Sequence, residues 1–123
     1  MKLEELEVYN LAMIFGNKVW DTVDTWSYFP KDTVGKQWVR AADSIAANIS
    51  EGFGRDSYKD SRKFYYIARG SLYESKTWLD KSSQRQLIMF ENYKVMLDEL
   101  NILGLKLNNF LKAHNKLIEN NNN

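Results

Sequence analysis

Apolar residues recur every three or four positions through most of this chain, which is the spacing of an amphipathic α-helix. Four segments keep that spacing, at about 4–27, 32–51, 57–84 and 90–118. None of them shows the strict alternation of apolar and polar residues that is typical of strands. Because short connections join four long helices, we expect an all-α fold, an antiparallel up-and-down four-helix bundle.

Helix-breaking residues mark the connections between the predicted helices. Pro30, the single proline, disfavours helical geometry at the residue before it, so the first helix should end near Ser27. A second break lies at 52–56, and Ser57 with an acidic residue three positions later has the spacing of a helix N-cap. A weaker break at 84–89 separates the last two helices.

The length of 123 residues is that of one domain. We expect a single four-helix-bundle domain over residues 1–119, followed by a disordered tail of asparagines at 120–123. The first residues are acidic and lack the apolar run of a signal peptide, and no segment reaches the roughly 18 apolar residues of a membrane span. The sequence therefore predicts a cytoplasmic protein.

The composition disfavours most small enzymes. The chain has no cysteine, which excludes disulfides, thiolate nucleophiles and cysteine-ligated zinc. Its one histidine, His114, excludes motifs with two histidines and lies on an apolar face near the end of the last helix, where packing is its expected role. We therefore predict no catalytic residues, no metal and no cofactor.

Apolar residues exceed what a simple bundle core needs. On the first helix two adjacent stripes cover nearly half of the circumference: Leu6, Tyr9, Met13, Gly16, Trp20 and Val23 in one, and Val8, Ala12, Phe15, Val19 and Trp26 in the other. Further apolar residues project from the polar sides of the first and last helices, namely Leu11, Ile14, Val95, Ile102 and Leu105. These five are either scattered surface residues or an interface between subunits.

One ridge of polar side chains runs along the second helix at spacings of four, four and three residues: Arg40, Ser44, Asn48 and Glu51. The antiparallel third helix brings Arg62, Arg69, Ser71 and Glu74 to this ridge. We expect a hydrogen-bonded network that sets the register of the helices, within a subunit or across a subunit boundary. The network lacks a poised general base, so a catalytic role is disfavoured.

Basic and aromatic residues crowd the second connection and the third helix: Arg55, Tyr58, Lys59, Arg62, Lys63, Tyr65, Tyr66 and Arg69. The net charge of +1 conceals an uneven distribution, because residues 1–30 carry −3 and residues 31–70 carry +3. Lysine and arginine neutralise phosphates and tyrosines stack on unpaired bases, so this set predicts a site for RNA or DNA. The alternative is a solvated helix whose tyrosines pack in the core or in an interface.

Several motifs are similar to those of a known family. They are LEVY at 6–9 with Ala12 and Met13, RAADSIAANISEGFGR at 40–55, ARGSLYE at 68–74 and GLKLN at 104–108. Over about residues 3–114 the chain resembles the four-helix-bundle proteins encoded in intervening sequences of bacterial 23S ribosomal RNA genes. The resemblance implies a bacterial homopentamer of up-and-down bundles with no catalytic site.

The resemblance also extends to a second group of proteins. A similar fold serves as the accessory protein of diversity-generating retroelements, in which a strongly basic pentameric barrel binds nucleic acid and a reverse transcriptase. The near-neutral charge of this chain departs from that pattern and implies weak binding. We hypothesise a non-enzymatic oligomer that binds RNA or DNA weakly through its third helix. The alternative is a protein-interaction scaffold with no nucleic-acid role.

Overall fold

The computed structural model describes residues 1–121, and these fold into four long helices. Helix α1 spans Glu7–Asp24 and follows a short 3-10 turn, helix α3 spans Tyr58–Gln84, and helix α4 spans Phe90–Asn121. Helix α2 lies between α1 and α3 and has three consecutive parts. No strand occurs in the described residues, and the predicted all-α four-helix bundle is confirmed.

Helix α2 begins earlier than the predicted residue 32. Its parts are Tyr28–Pro30, the π-helical Lys31–Gly35 and the regular Lys36–Phe53. The chain turns at 25–27, as the proline predicted, but the helix resumes before it. Pro30 lies in the first turn, where its missing N–H removes no intrahelical hydrogen bond, so the helix accepts it there.

The predicted start of α3 is confirmed, whereas α4 extends beyond its predicted end. The Ser57 hydroxyl accepts a hydrogen bond from the backbone N–H of Asp60 at 3.1 Å, so Ser57 is the N-cap of α3. Helix α4, predicted to end near residue 118, continues to Asn121. The first half of the asparagine tail expected to be disordered is therefore helical, and residues 122–123 lie outside the described residues.

The four helices pack in a ring. Each helix contacts the next one along the chain, and α4 returns to contact α1. The packing is most extensive between α2 and α3 and least extensive between α1 and α4. Both α2 and α3 bury small residues, which allow their backbones to approach closely: Ala41, Ala42, Ala46 and Gly52 on α2, and Ser61, Ala68, Ser75 and Ser82 on α3.

The bundle core is apolar, and its largest fully buried side chains come from all four helices: Phe15, Val19, Trp38, Ile45, Ile49, Leu79, Leu100, Leu103 and Leu107. The buried residues of the α1 region come from both apolar stripes: Val8, Ala12, Phe15 and Val19 from one, and Leu6, Gly16 and Val23 from the other. In the second of these stripes Met13 and Trp20 are 42% and 58% exposed and lie outside the core. Helix α1 packs mainly against α2 and α4, and its third side faces outward.

Buried polar side chains in the core have partners. The indole Nε1 of Trp38 donates a hydrogen bond to the Ser75 hydroxyl at 3.2 Å. The Nε2 of His114 lies 2.7 Å from the carbonyl oxygen of Tyr58 and is the donor, because a carbonyl only accepts. His114 therefore has the packing role that the sequence predicted, and it connects the end of α4 to the start of α3.

Among the described residues, no helix combines the length and the apolar character that crossing a membrane requires.

Candidate nucleic-acid interface

A row of cations on α3 faces a row of asparagines on α4. The Nη1 of Arg62 donates to the Oδ1 of Asn115 at 3.3 Å, and the Nη1 of Arg69 donates to the Oδ1 of Asn108 at 3.4 Å. Each step is seven residues on both helices, or about 10.5 Å along the axis. We call this surface the α3–α4 groove; it consists of Arg62, Tyr66, Arg69, Tyr73 and Lys76 with Asn101, Gly104, Asn108 and Asn115.

Lys76 and Asn101 occupy the next step of the same groove. The Nζ of Lys76 donates to the Oδ2 of Asp80 at 2.8 Å, and the Tyr93 hydroxyl donates to the Oδ1 of Asp80 at 2.8 Å. Burial acts to raise the pKa of Asp80, but the hydrogen bonds from Lys76 and Tyr93 outweigh it and hold this pKa below its ordinary value. The hydrogen bond to Asp80 raises the pKa of Lys76, which keeps its charge at neutral pH.

Two tyrosines lie between these cations on α3. The Tyr66 ring is 4.9 Å from the guanidinium of Arg69, and its hydroxyl accepts a hydrogen bond from the Nδ2 of Asn115 at 3.2 Å. These two contacts hold Tyr66 in place, and it is 40% exposed. Tyr73 is 59% exposed, and its hydroxyl makes no hydrogen bond to another side chain in the part of the chain that the structure describes.

A notch of 180 Å³ opens in the groove beside Tyr73. Gly104 of α4 leaves this space because it has no side chain. Leu72 and Leu105 are its apolar walls, and its polar lining comes from Arg69, Lys76, Asn101 and Asn108. The groove thus combines cations, amide groups and an exposed aromatic ring.

The structure divides the eight residues that were predicted to bind nucleic acid. It brings Arg62, Tyr66 and Arg69 together in the groove. Tyr65 is only 3% exposed and packs edge-on against Phe110, so the stacking role predicted for it was wrong. Successive helical residues point about 100° apart, which turns Tyr65 into the core and leaves Tyr66 outside.

The other four residues lie around the groove or away from it. Arg55 stacks over the Phe64 ring at 4.5 Å and pairs with Glu51 of α2, so it belongs to the α2–α3 side. Tyr58 is 38% exposed and contacts the buried His114 ring edge-on. The exposed cations Lys59 and Lys63 follow on the outer side of α3, where Lys63 lies 3.7 Å from Asp60.

Sequence reasoning missed the α4 half of the groove. Asn101, Asn108 and Asn115 recur at intervals of seven, which is a pattern visible in the sequence. The spacing alone, however, does not say which helix these asparagines face. Only the register of α3 against α4 shows that the asparagines lie opposite the cations.

The polar network predicted between α2 and α3 forms in part. The Ser71 hydroxyl donates to the Ser44 hydroxyl at 2.9 Å, and the Nδ2 of Asn48 donates to the same oxygen at 2.9 Å. The other predicted members do not join it: Glu51 pairs with Arg55, Glu74 accepts from the Trp78 indole, and Arg62 and Arg69 turn to α4. Arg40 is exposed and hydrogen-bonds to none of the predicted members within residues 1–121.

The five apolar residues that were predicted as an interface lie on two surfaces. Ile14, Val95 and Ile102 are 52%, 53% and 51% exposed and lie along the boundary between α1 and α4, next to the partly buried Leu11. Ion pairs cross this boundary, namely Lys18 with Glu99 and Lys106 with Glu7. Leu105 does not belong there, because it lines the notch on the α3 side of α4.

A second groove runs between α1 and α2. It has a volume of 350 Å³, and its lining includes Tyr9, Met13, Gly16, Asp43 and Ala47. Asp43 is exposed, the partial burial of its carboxylate raises its pKa, and this carboxylate pairs with no cation among the described residues. Trp20 is exposed farther along the same side of α1, so this side of the bundle presents a largely apolar surface.

Within residues 1–121, no three side chains of His, Asp and Glu come together in a way that could hold a metal ion.

The α3–α4 groove offers hydrogen-bond donors and positive charge. Its chemistry is that of a binding surface for an anion with flat rings.

Comparison with known proteins identifies a family and a fold that is shared with solved structures. The family model of the 23S rRNA-intervening sequence protein matches residues 4–109. A protein of unknown function from the S23 ribosomal protein family of Bacteroides thetaiotaomicron has a similar fold, with a TM-score of 0.77 and 23% identity over 85% of this chain and 98% of that chain. No curated protein matches. The family match covers most of the chain and confirms the resemblance, so the chain belongs to the family of 23S rRNA-intervening sequence proteins.

Proposed function

We propose that this chain is a non-enzymatic, self-associating bundle that binds RNA or DNA weakly through the α3–α4 groove. The observation that carries the proposal is the repeat of cation and asparagine across that groove, Arg62 with Asn115 and Arg69 with Asn108. Each guanidinium keeps further N–H donors beyond the one that the asparagine accepts, and these can reach phosphate oxygens. Because asparagine is neutral, it holds each guanidinium group in position without neutralising its positive charge.

The binding is expected to be weak because few cations line the groove. Arg62, Arg69 and Lys76 form its row of positive charge, and Asp80 partly neutralises Lys76. Self-association raises the overall affinity of weak sites, because several copies of the groove engage one long polyanion at the same time. The affinity of the oligomer for a long strand would then exceed that of one groove.

Salt-dependent binding tests this proposal. The purified chain is titrated into a fluorescein-labelled RNA or DNA strand, and the anisotropy is followed from about 50 mM salt upward. We expect the logarithm of the affinity to fall linearly with the logarithm of the salt concentration. The double variant Arg62→Gln with Arg69→Gln should make this slope shallower by about 0.7 for each phosphate that it no longer neutralises.

Arg55→Gln is the matched control for this titration. It removes one positive charge, half of what the double variant removes, from a residue of the predicted set that lies on the α2–α3 side. We expect the salt slope of this variant to stay close to that of the parent chain. No binding to either kind of strand at about 50 mM salt would contradict the proposal.

Exposed apolar side chains support self-association. Ile14, Val95 and Ile102 form one aligned set, and aligned exposed apolar residues tend to be covered by a partner. We propose a homopentamer, which sedimentation at micromolar concentration would detect as a mass of five times 14.5 kDa. A monomer under these conditions would contradict it.

The second candidate function is a protein-interaction scaffold. The largely apolar groove between α1 and α2, with the uncompensated Asp43, favours it, since such a surface suits a protein partner that brings apolar side chains and a cation. The same titration separates the two functions. Self-association without retention of RNA or DNA would favour the scaffold.

A further inference from the structure

The notch beside Tyr73 exists because residue 104 is glycine. A Cβ placed on Gly104 would lie 3.6 Å from the Leu72 side chain, which is ordinary van der Waals contact. Packing therefore does not require glycine at this position. Glycine in the interior of a helix costs about 1 kcal/mol relative to alanine, yet here it leaves 180 Å³ of open space in the groove.

The walls of the notch suit a flat ring. Tyr73 forms one side, and Leu72 and Leu105 close it with apolar surface. Tyr73 is the most exposed aromatic residue of α3. A cavity of about 150 Å³ accommodates benzene, so a notch of 180 Å³ has room for one aromatic ring.

Polar groups surround the notch where the rest of a nucleotide would lie. Arg69 is four residues before Tyr73 and Lys76 is three residues after it, which places one cation about one helical turn to each side. The amides of Asn101 and Asn108 line the notch from α4. An amide presents both a donor and an acceptor, the combination that pairs with the edge of a base.

We infer that the notch binds one unpaired base of a single-stranded nucleic acid, stacked on Tyr73, with the neighbouring phosphates on Arg69 and Lys76. Unstacked bases are recognised by stacking on aromatic side chains and by hydrogen bonds to their edges. Bases inside a duplex are paired and stacked, and they cannot enter a notch of this size. This inference rests on the proposed function and adds that the groove selects single strands over duplexes.

The test compares a labelled oligothymidylate, which does not pair with itself, with a labelled duplex of the same length in the anisotropy titration. The single strand should bind at least about fivefold more tightly than the duplex, given that one base stacked on an aromatic ring contributes about 1–3 kcal/mol. Equal or tighter binding of the duplex would overturn the inference and leave the proposed function standing. Absence of binding to both probes would overturn the inference and the proposed function together.

Two substitutions locate the effect in the notch. Tyr73→Leu should weaken binding of the single strand about tenfold and leave binding of the duplex unchanged, while Tyr73→Phe keeps the ring and the affinity. Gly104→Leu should weaken binding of the single strand to a similar extent by filling the notch. Gly104→Ala checks that α4 itself tolerates a side chain there. If Tyr73→Leu weakened both probes equally, or neither, the notch would not be the base site.

Discussion

The ring of Tyr65 lies directly against the backbone of Gly52, so closely that a Cβ on Gly52 would be 2.6 Å from the Tyr65 Cε1 atom. Tyr65 also packs edge-on against Phe110 of α4, with 4.8 Å between the ring centroids. Tyr65 of α3 thus contacts both α2, at Gly52, and α4, at Phe110. The contact sets the rotation of α3 that leaves Arg62, Tyr66 and Arg69 facing the α4 asparagines.

Gly52→Ala should destabilise the fold. The new Cβ would also lie 3.0 Å from the backbone oxygen of Ser61, which cannot move as a side chain can, so α2 and α3 must shift apart. We expect a loss of about 1–3 kcal/mol in the free energy of unfolding, the usual cost of overpacking, measured by urea denaturation. Gly70→Ala is the control, because nothing lies within 4 Å of its Cβ and the helix should gain up to about 1 kcal/mol. Equal effects of the two variants would contradict this account.

Ser75→Ala should lower the free energy of unfolding by more than the loss of one small side-chain atom implies. Trp38 and Ser75 are both fully buried, and the indole N–H has the Ser75 hydroxyl as its partner. Removing the hydroxyl leaves a buried donor unsatisfied, at a cost of about 1–3 kcal/mol. In a double-mutant cycle with Trp38→Phe, which removes the donor, the further destabilisation caused by Ser75→Ala should shrink. Strict additivity in thermal or urea unfolding would argue against the hydrogen bond.

Asp80 should make the free energy of unfolding decrease at acid pH. Its pKa is depressed in the fold, so its ionised form is favoured there, and the stabilisation is complete above the unfolded pKa of about 3.9. The stabilisation is lost as the pH falls through the lower folded pKa. Because Lys76 is 42% exposed and the pair is screened, we expect Asp80→Asn to cost only about 0.5–1 kcal/mol at pH 7 and less near pH 3. Urea unfolding at the two pH values measures it, with the exposed Asp98→Asn as control; a cost that grew on acidification would contradict the assignment.

Ile102→Glu should abolish the proposed self-association without unfolding the bundle. Ile102 is 51% exposed, so the substitution should change the free energy of unfolding by no more than about 0.5 kcal/mol. A charge in an apolar contact between subunits would lose its water, and the oligomer should dissociate to monomers in sedimentation. Leu105→Glu, on the same helix but on the α3 side, is the comparison. Dissociation by Leu105→Glu alone would move the interface to the α3–α4 side.

The helices could be predicted well from the sequence, but the α3–α4 groove only in part, and particular residues show why. Apolar spacing and the Ser57 cap are local, so they predict α3 from its own sequence. Arg62 and Arg69 were recognised from their type and spacing on one helix. Tyr65 and Tyr66 are chemically alike neighbours, and only the contact of Tyr65 with Gly52 decides which of them is buried.

The sequence by itself determined the all-α class, the number of helices, the cap at Ser57 and the family, because each of these depends on local spacing or on motifs within one segment. The tertiary structure alone decided that Asn108 and Asn115 face the arginines of α3, that Met13 and Trp20 point outward, and that Gly104 opens a notch beside Tyr73. These relationships depend on the register and rotation of one helix against another. Small residues such as Gly52 set that geometry through contacts between segments far apart in the chain.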